Sequence, residues 1–264
     1  MANYLITGSG GGMGDALCRL LTAQGHRVWG LDRVSPADPP EGETVIVADV
    51  TDGASLQEAA DRIRLEAGKL NGIIHTAGIY DLCSLVEMTE TEFLNDFDVN
   101  LFGAFRVNRT FLPLLEERSR IVMITSELAP LHALPFTGVY AVTKTALDRY
   151  AEALRMELQL LGHRVIVVRP GAVQTAMLGV STARLEKFCE DTRMYRCNAE
   201  RFRKIVGHIE AKNVPPETVA GVVGRALRTS HPRPVYSVNH NPLLQLLSIL
   251  PLRLQLWLIR RVLS

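Results

Sequence analysis

The sequence predicts an α/β chain, a Rossmann-like doubly wound parallel sheet of about seven strands with helices on both faces, in one domain spanning 1–264. Three observations predict it. Short apolar runs alternate with amphipathic stretches along the chain. Those runs are continuous rather than alternating, as in strands covered on both faces. The first of them leads directly into a glycine-rich turn and a helix, which is how doubly wound folds open a ligand crevice.

Taken in order, Leu5-Ile6-Thr7 forms the first strand, and a helix from Met13 to Ala23 follows the glycines and stops near Gly25. Val28-Trp29-Gly30-Leu31, Val45-Ile46-Val47 and Ile73-Ile74-His75 are the next three strands. Ile121-Val122-Met123-Ile124 and Val165-Ile166-Val167-Val168 follow, and Val235-Tyr236-Ser237-Val238 is a weaker seventh. The Pro-rich residues 35–40 read as a surface loop, and no repeat, low-complexity tract or long linker divides the chain.

Composition narrows the function. Lys plus Arg is 29 and Asp plus Glu is 28, a net charge of +1 that gives no reason to expect nucleic acid as a partner. Cys18, Cys83, Cys189 and Cys197 form no CxxC pair and have no His at zinc spacing, so neither a metal site nor a disulfide framework is implied. The first residues lack a basic region followed by a long apolar run. Together these features lead to the expectation of a cytoplasmic protein.

The first turn reads Thr7-Gly8-Ser9-Gly10-Gly11-Gly12-Met13-Gly14. Glycines between a strand and a helix let backbone approach a pyrophosphate, where free N–H groups and the helix dipole favour an anion. No Gly-Lys-Ser/Thr follows, which excludes a P-loop, and the strict GxGxxG spacing is absent. A tight turn without ligand is the bland alternative. Asp32 ends the second strand 18 residues after Gly14, close to the ~20 of a carboxylate that binds the adenosine ribose hydroxyls. It would repel a 2′-phosphate and so favours NAD; Arg33 beside it could pair with that phosphate and keeps NADP open.

Two helical stripes carry polar residues where apolar ones belong. Leu147, Ala151, Leu154, Leu158 and Leu161 recur at helical spacing, and the same stripe extends back through Lys144 and Tyr140. Either these two snorkel at the helix end, or the first turn lines a cavity where they do chemistry. Phe93, Phe97, Ala104, Val107 and Phe111 form the second stripe, interrupted by Asn100. A buried Asn needs partners, structural or functional.

At this point the residues carry a resemblance. The first turn, Asp49-Val50, Thr76-Ala77-Gly78, Asn100, Ser126, Tyr140-Ala141-Val142-Thr143-Lys144, Arg169-Pro170-Gly171 and Thr175 occur in the order of the classical short-chain dehydrogenase/reductase family, over residues 4–180. Each motif alone is weak, and the ordered set is specific. The resemblance implies an NAD(P)-dependent oxidoreductase that moves a hydride between nicotinamide and a secondary alcohol or ketone. Tyr140 would be the general acid/base, its pKa drawn from its ordinary value of about 10 towards the working pH by the Lys144 ammonium and the oxidised nicotinamide together. Lys144 would also hold the nicotinamide ribose. Ser126 would bind the reacting oxygen, and Asn100 would anchor a water relay to Lys144. Gly8, Gly12 and Gly14 would shape the pyrophosphate turn, with Ser9 and Met13 lining it. Asp49 would contact adenine, Ala77 and Gly78 the adenine ribose, and Thr175 the carboxamide. Val50, Pro170 and Gly171 would border the cofactor.

Three departures stand out. Thr76 replaces the family's usual Asn. Ser126 lies 14 residues before Tyr140, one more than the family usually has, which implies a bulge in residues 127–138 and leaves Thr125 as the fallback. Arg33 keeps the cofactor preference open. Two rivals share the fold: a silent nucleotide-sensing scaffold, disfavoured because Tyr140 and Lys144 are both present, and an epimerase or dehydratase with retained cofactor. No Gly-x-Ser-x-Gly supports a hydrolase.

The resemblance also makes residues 177–213 a substrate lid, and self-association as a homodimer or homotetramer through the Asn100 and Tyr140 helices is expected. Residues 241–264 form an apolar extension with thirteen Leu, Ile or Trp residues. Its uncharged run is too short for a transmembrane span and holds Pro251. Arg253, Arg260 and Arg261 beside Trp257 would suit peripheral membrane contact. Packing over the cleft or against a second subunit is favoured, and a lid of that kind would suit a lipophilic steroid, retinoid or acyl substrate.

Overall fold

The computed structural model describes the backbone of residues 1–264 and the side chains of all but residues 176, 178–181 and 210. In chain order the elements are β1 (Asn3–Thr7), α1 (Gly12–Ala23), β2 (Arg27–Asp32), β3 (Glu43–Val47), α2 (Gly53–Glu66) and β4 (Leu70–His75). Next come α3 (Glu90–Phe97), α4 (Gly103–Phe111), β5 (Leu115–Ile124), α5 (Gly138–Leu158) and β6 (Arg164–Pro170). The remainder is α6 (Ala176–Asp191), α7 (Arg196–Glu210), α8 (Pro216–Arg228), β7 (Val235–Val238), α9 (Pro242–Ile249) and α10 (Leu252–Leu263).

The strands form one parallel sheet in the order β3-β2-β1-β4-β5-β6-β7. The order reverses between β1 and β4, and at such a switch point the carboxyl ends of the strands leave a crevice. Strand alternation sorts the core. Leu5, Ile73, Ile121, Met123, Val165 and Val167 face one side, under α2, α4 and α5. Their neighbours Ile6, Ile74, Val122, Ile124, Ile166 and Val168 face the other, under α1 and α8. Burial on both sides explains why the strands read as unbroken apolar runs. A third cluster, built on Leu82, Phe136, Leu185, Phe188 and Phe202, lies outside the sheet and packs α6, α7 and α10 together.

Two helical stripes differ from expectation. Leu161 is largely exposed rather than core-facing. The helix ends at Leu158, and a 3-10 turn closing on Gly162 at φ +82° swings Leu161 out of phase. The Phe93–Phe111 stripe is not one regular helix either. A π-turn at Asp98–Phe102 separates α3 from α4 and shifts the phase, so Asp96 and Asn100 are fully buried while Phe93 and Phe97 are half-buried.

Polar bonds fix the helices over the crevice. His75, at the end of β4, bonds through Nε2 to Asn108 Oδ1 of α4 at 2.9 Å, and Asn108 Nδ2 donates to the Tyr150 hydroxyl of α5 at 3.2 Å. Asp148 of α5 accepts two bonds from Arg169 at 3.0 and 2.6 Å and a third from Thr125 Oγ1 at 3.1 Å. This sets α5 against the ends of β5 and β6.

Burial lowers the His75 pKa to about 4. The unfolded chain binds a proton near pH 6.5 that the folded chain refuses. The stability this provides is present above about pH 6.5 and lost as pH falls towards 4, on the order of 3 kcal/mol in all. Denaturant unfolding at pH 7 and pH 4.5 should show that slope flattened in His75→Gln; an identical slope in both proteins would remove His75 from this role.

Candidate active site

The glycine turn fits a dinucleotide pyrophosphate. Gly8 has φ +72°, and a Cβ there would lie 2.7 Å from the Ala77 nitrogen. On Gly12 a Cβ would lie 2.8 Å from Thr175 Cγ2, and on Gly14 it would strike the Gly8 carbonyl. Only bare backbone fits, and the N–H groups of Gly12, Met13 and Gly14 precede the first intrahelical bond, from Asp15 N to Gly11 O at 2.8 Å. The Asp32 carboxylate holds the turn by accepting from Gly10 N at 3.0 Å, and Arg33 beside it is exposed. A nicotinamide dinucleotide bound here supplies the hydride donor or acceptor, while the protein supplies orientation.

Across the crevice, α5 presents Tyr140 and Lys144 one turn apart. Lys144 is only 6% exposed, and its Nζ donates to the Ile124 carbonyl at 3.2 Å and lies 5.8 Å from the Tyr140 ring centre. Ser126, buried at the end of β5, hydrogen-bonds the Tyr140 hydroxyl. Thr125 instead turns away to Asp148, so Ser126 is the residue brought to Tyr140. The extra residue before Tyr140 is taken up in turns closed by Ala129 N to Ser126 O and Leu131 N to Leu128 O, both at 3.1 Å.

Asn100 is held by three hydrogen bonds. Its Oδ1 accepts from Ile79 N at 2.8 Å, and Nδ2 donates to Ile79 O and Thr143 Oγ1, each at 3.0 Å. Thr143 in turn donates to the Tyr140 carbonyl at 2.8 Å. The carboxamide therefore clamps the segment after β4 to α5 and makes no bond to Lys144 among those described. Gly78 sits inside the clamp, where a Cβ would lie 3.0 Å from Asn100 Oδ1 and 3.4 Å from Lys144 Nζ.

Burial dominates the electrostatics of this pair. Burial pushes the Tyr140 hydroxyl up to about 12; the Ser126 hydrogen bond opposes this, and the Glu127 charge adds to it. Burial also pushes Lys144 down to about 8. With the ammonium beside the ring rather than at the hydroxyl, desolvation outweighs its attraction for tyrosinate.

Other predicted positions serve the frame. Ser9 is buried beneath the turn, its Oγ beside Gly30, whereas Met13 lines the cavity described below. Asp49 Oδ1 accepts from Thr51 N and Oγ1 at 2.8 and 2.7 Å. Val50 is buried against Gly103. Pro170 ends β6, and Gly171 lies too close to the Asn239 carbonyl for any side chain. Thr76, the departure after β4, donates to the Thr7 carbonyl at 2.6 Å and so joins the ends of β1 and β4.

Two site residues escaped the sequence reading. Tyr80 packs edge-on against Tyr140 with ring centres 4.4 Å apart. Glu127 borders the same cavity and accepts from Asn241 N at 2.6 Å. Neither belongs to a periodic stripe, and both reach the site from loops. The cavity has a volume of about 290 Å³. Tyr140, Ser126 and Lys144 line it, and Phe202, Ile205, Leu244, Leu247, Leu258 and Ile259 form much of its apolar wall. Residues 177–213, expected as a lid, contribute Met177 and, from α7, Phe202, Ile205, Val206 and Ile209 to this wall; residues 178–181 and 210 lie outside the described side chains.

The family model "short chain dehydrogenase" matches residues 2–186. The chain belongs to the short-chain dehydrogenase family. It is similar to a 3-ketodihydrosphingosine reductase of Bacteroides thetaiotaomicron, 26% identical over 92% of this chain and 89% of that protein. It also resembles the Escherichia coli oxidoreductase UcpA, 33% identical over 66% of this chain and 70% of that one, and the human 17-beta-hydroxysteroid dehydrogenase type 6, 33% identical over 67% and 58%. Among solved structures it superimposes on levodione reductase with a TM-score of 0.75, at 21% identity over 90% of this chain and 95% of that one. As a short-chain dehydrogenase it is an oxidoreductase acting on CH–OH and C=O groups with a nicotinamide cofactor.

The clamp is testable at Gly78. Gly78→Ala should lower kcat by roughly tenfold through displacement of Asn100 or Lys144, with little change in melting temperature. Unchanged kcat would show that the close approach has no catalytic weight.

Proposed function

We propose that this short-chain dehydrogenase interconverts a lipophilic ketone and its secondary alcohol, with Tyr140 giving or taking the proton at the substrate oxygen. The observation that carries this reading is the cavity: Tyr140, Ser126 and Lys144 line it together with a wall that is mostly apolar. Ser126 holds the reacting oxygen and the Tyr140 hydroxyl together. Lys144 orients the nicotinamide ribose, and Asn100 positions the segment carrying Gly78 against α5. A tyrosine held protonated by burial is suited to donating its proton, which favours carbonyl reduction. The names of the sphingoid-base and steroid relatives point to the same substrate class.

Asp32 supports NAD over NADP, because its carboxylate stands at the end of β2 where a 2′-phosphate would meet it. Residues 177–213 serve as the lid in this reading. The exposed Phe102, Phe105 and Val142 on α5 and the segment through α4 support self-association on that face.

Nicotinamide absorbance with ketones and alcohols graded from short to steroid-sized, in both cofactors, tests the reading. Specificity should rise with apolar size, and Tyr140→Phe should lose roughly 10²–10⁴-fold in turnover while still binding cofactor. Full turnover in Tyr140→Phe would overturn the assignment. Asp32→Ser should lower the NADH-to-NADPH ratio of kcat/KM by roughly tenfold or more, as the like-charge penalty is removed; a ratio that stays put would place cofactor selection elsewhere.

A further inference from the structure

The helices α9 and α10 have two faces with different surroundings. Leu244, Leu247, Leu258 and Ile259 point inward and wall the cavity. On the outer side, Leu243, Leu246, Ile249, Leu252, Leu256 and Trp257 are 59% to 80% exposed. Six large apolar side chains on two adjacent short helices exceed the scattered exposure of an ordinary surface. Arg253, Arg260 and Arg261 are exposed beside Trp257, and no Asp or Glu occurs anywhere in residues 241–264.

The pair is held in place. Gln255, 2% exposed, donates to the Leu250 carbonyl at 2.7 Å and bonds through Oε1 to His132 Nδ1 at 2.9 Å, and His132 N donates to Ser248 Oγ at 3.3 Å. Asn198 Nδ2 donates to the Leu263 carbonyl at 2.6 Å. The outer face is therefore presented by a fixed corner and not by a loose end.

We infer that the outer face of α9 and α10 docks on an anionic lipid bilayer, so that one wall of the substrate cavity rests on the membrane. Apolar side chains mixed with Trp and Arg match the acyl and headgroup layers of a bilayer surface. Among the described residues no helix is long and apolar enough to cross a membrane, so the contact inferred is a surface one. Charge selects the bilayer over a second copy. A twofold contact through this face would set three arginines against three arginines with no carboxylate on either helix pair. The two faces belong to the same turns of helix, so a docked protein has its cavity wall one helix thickness from the lipid. This deepens the proposed substrate class and rests on it only for what enters the cavity.

The test uses the full chain and vesicles of phosphatidylcholine with and without phosphatidylglycerol. Co-sedimentation should require the anionic lipid and weaken with salt. The triple variant Arg253→Gln, Arg260→Gln, Arg261→Gln should lower partitioning on the order of a hundredfold, at roughly fivefold per arginine. Leu246→Gln with Ile249→Gln should also reduce it. Trp29 is fully buried, so a blue shift of tryptophan emission on vesicle addition reports Trp257 entering the interface. Both variants should keep wild-type turnover of a short water-soluble ketone. Absence of vesicle binding at low salt, or binding indifferent to both variants, overturns the proposal. So does a dimer that Leu246→Gln with Ile249→Gln dissolves while vesicles have no effect. Vesicle binding without turnover of any substrate leaves docking standing and sinks the redox reading instead.

Discussion

One buried carboxamide sets the spacing of the active site. Asn100 spends its oxygen and both ends of its amide on Ile79 and Thr143, and through Thr143 it reaches the Tyr140 carbonyl. The segment after β4 and the first turn of α5 are thereby held at fixed separation, with Gly78 between them. A regular helix through Asp98–Phe102 would rotate Asn100 away from this position. The π-turn is what carries the side chain inward, and π-turns recur at functional sites for this kind of reason. Fully satisfied, such a network rigidifies; with one bond missing it would leave a polar group stranded in the core.

The same frame surrounds Tyr140 and Lys144. Lys144 lies behind Tyr140 and donates to the Ile124 carbonyl, so its charge is not spent on the phenol. Burial then dominates both groups and drives them towards their neutral forms. The Ser126 hydrogen bond favours tyrosinate, and Glu127 works against it. Glu127 is tied to Asn241 at the entrance to α9, so the charge that disfavours tyrosinate is anchored to the element that walls the cavity. Cavity wall and Tyr140 are thus coupled through the Glu127 charge.

What was legible in the sequence follows from how local each signal is. Strands buried on both faces announce themselves as apolar runs, and all seven stand where those runs placed them. Tyr140 and Lys144 were visible because they sit on a helical stripe, where a charge is out of place. Leu161 misled for the same reason: its spacing continues the stripe, but the stop at Gly162 is a backbone event that periodicity does not weigh. The π-turn was invisible because it inserts phase without any special residue. Tyr80 and Glu127 come from loops, and their roles depend on which chain segments meet in space. Ser9 shows the converse, a polar residue in a ligand-binding motif whose side chain faces the core.

Chemistry and specificity are divided along the chain. The matched family segment ends at residue 186, and every group argued to hold cofactor or move a proton lies before it. Much of the apolar cavity wall lies after it, on α7, α9 and α10. Hydrogen-bonding groups must stand at set distances, so they leave motifs. A hydrophobic wall needs only the right volume, and Leu, Ile, Val and Phe exchange within it at modest cost. Discrimination by such a wall amounts to ~1–3 kcal/mol for each methylene. The reaction type is therefore written in a few fixed residues, while the substrate is selected by the summed shape of helices whose sequence carries no comparable code.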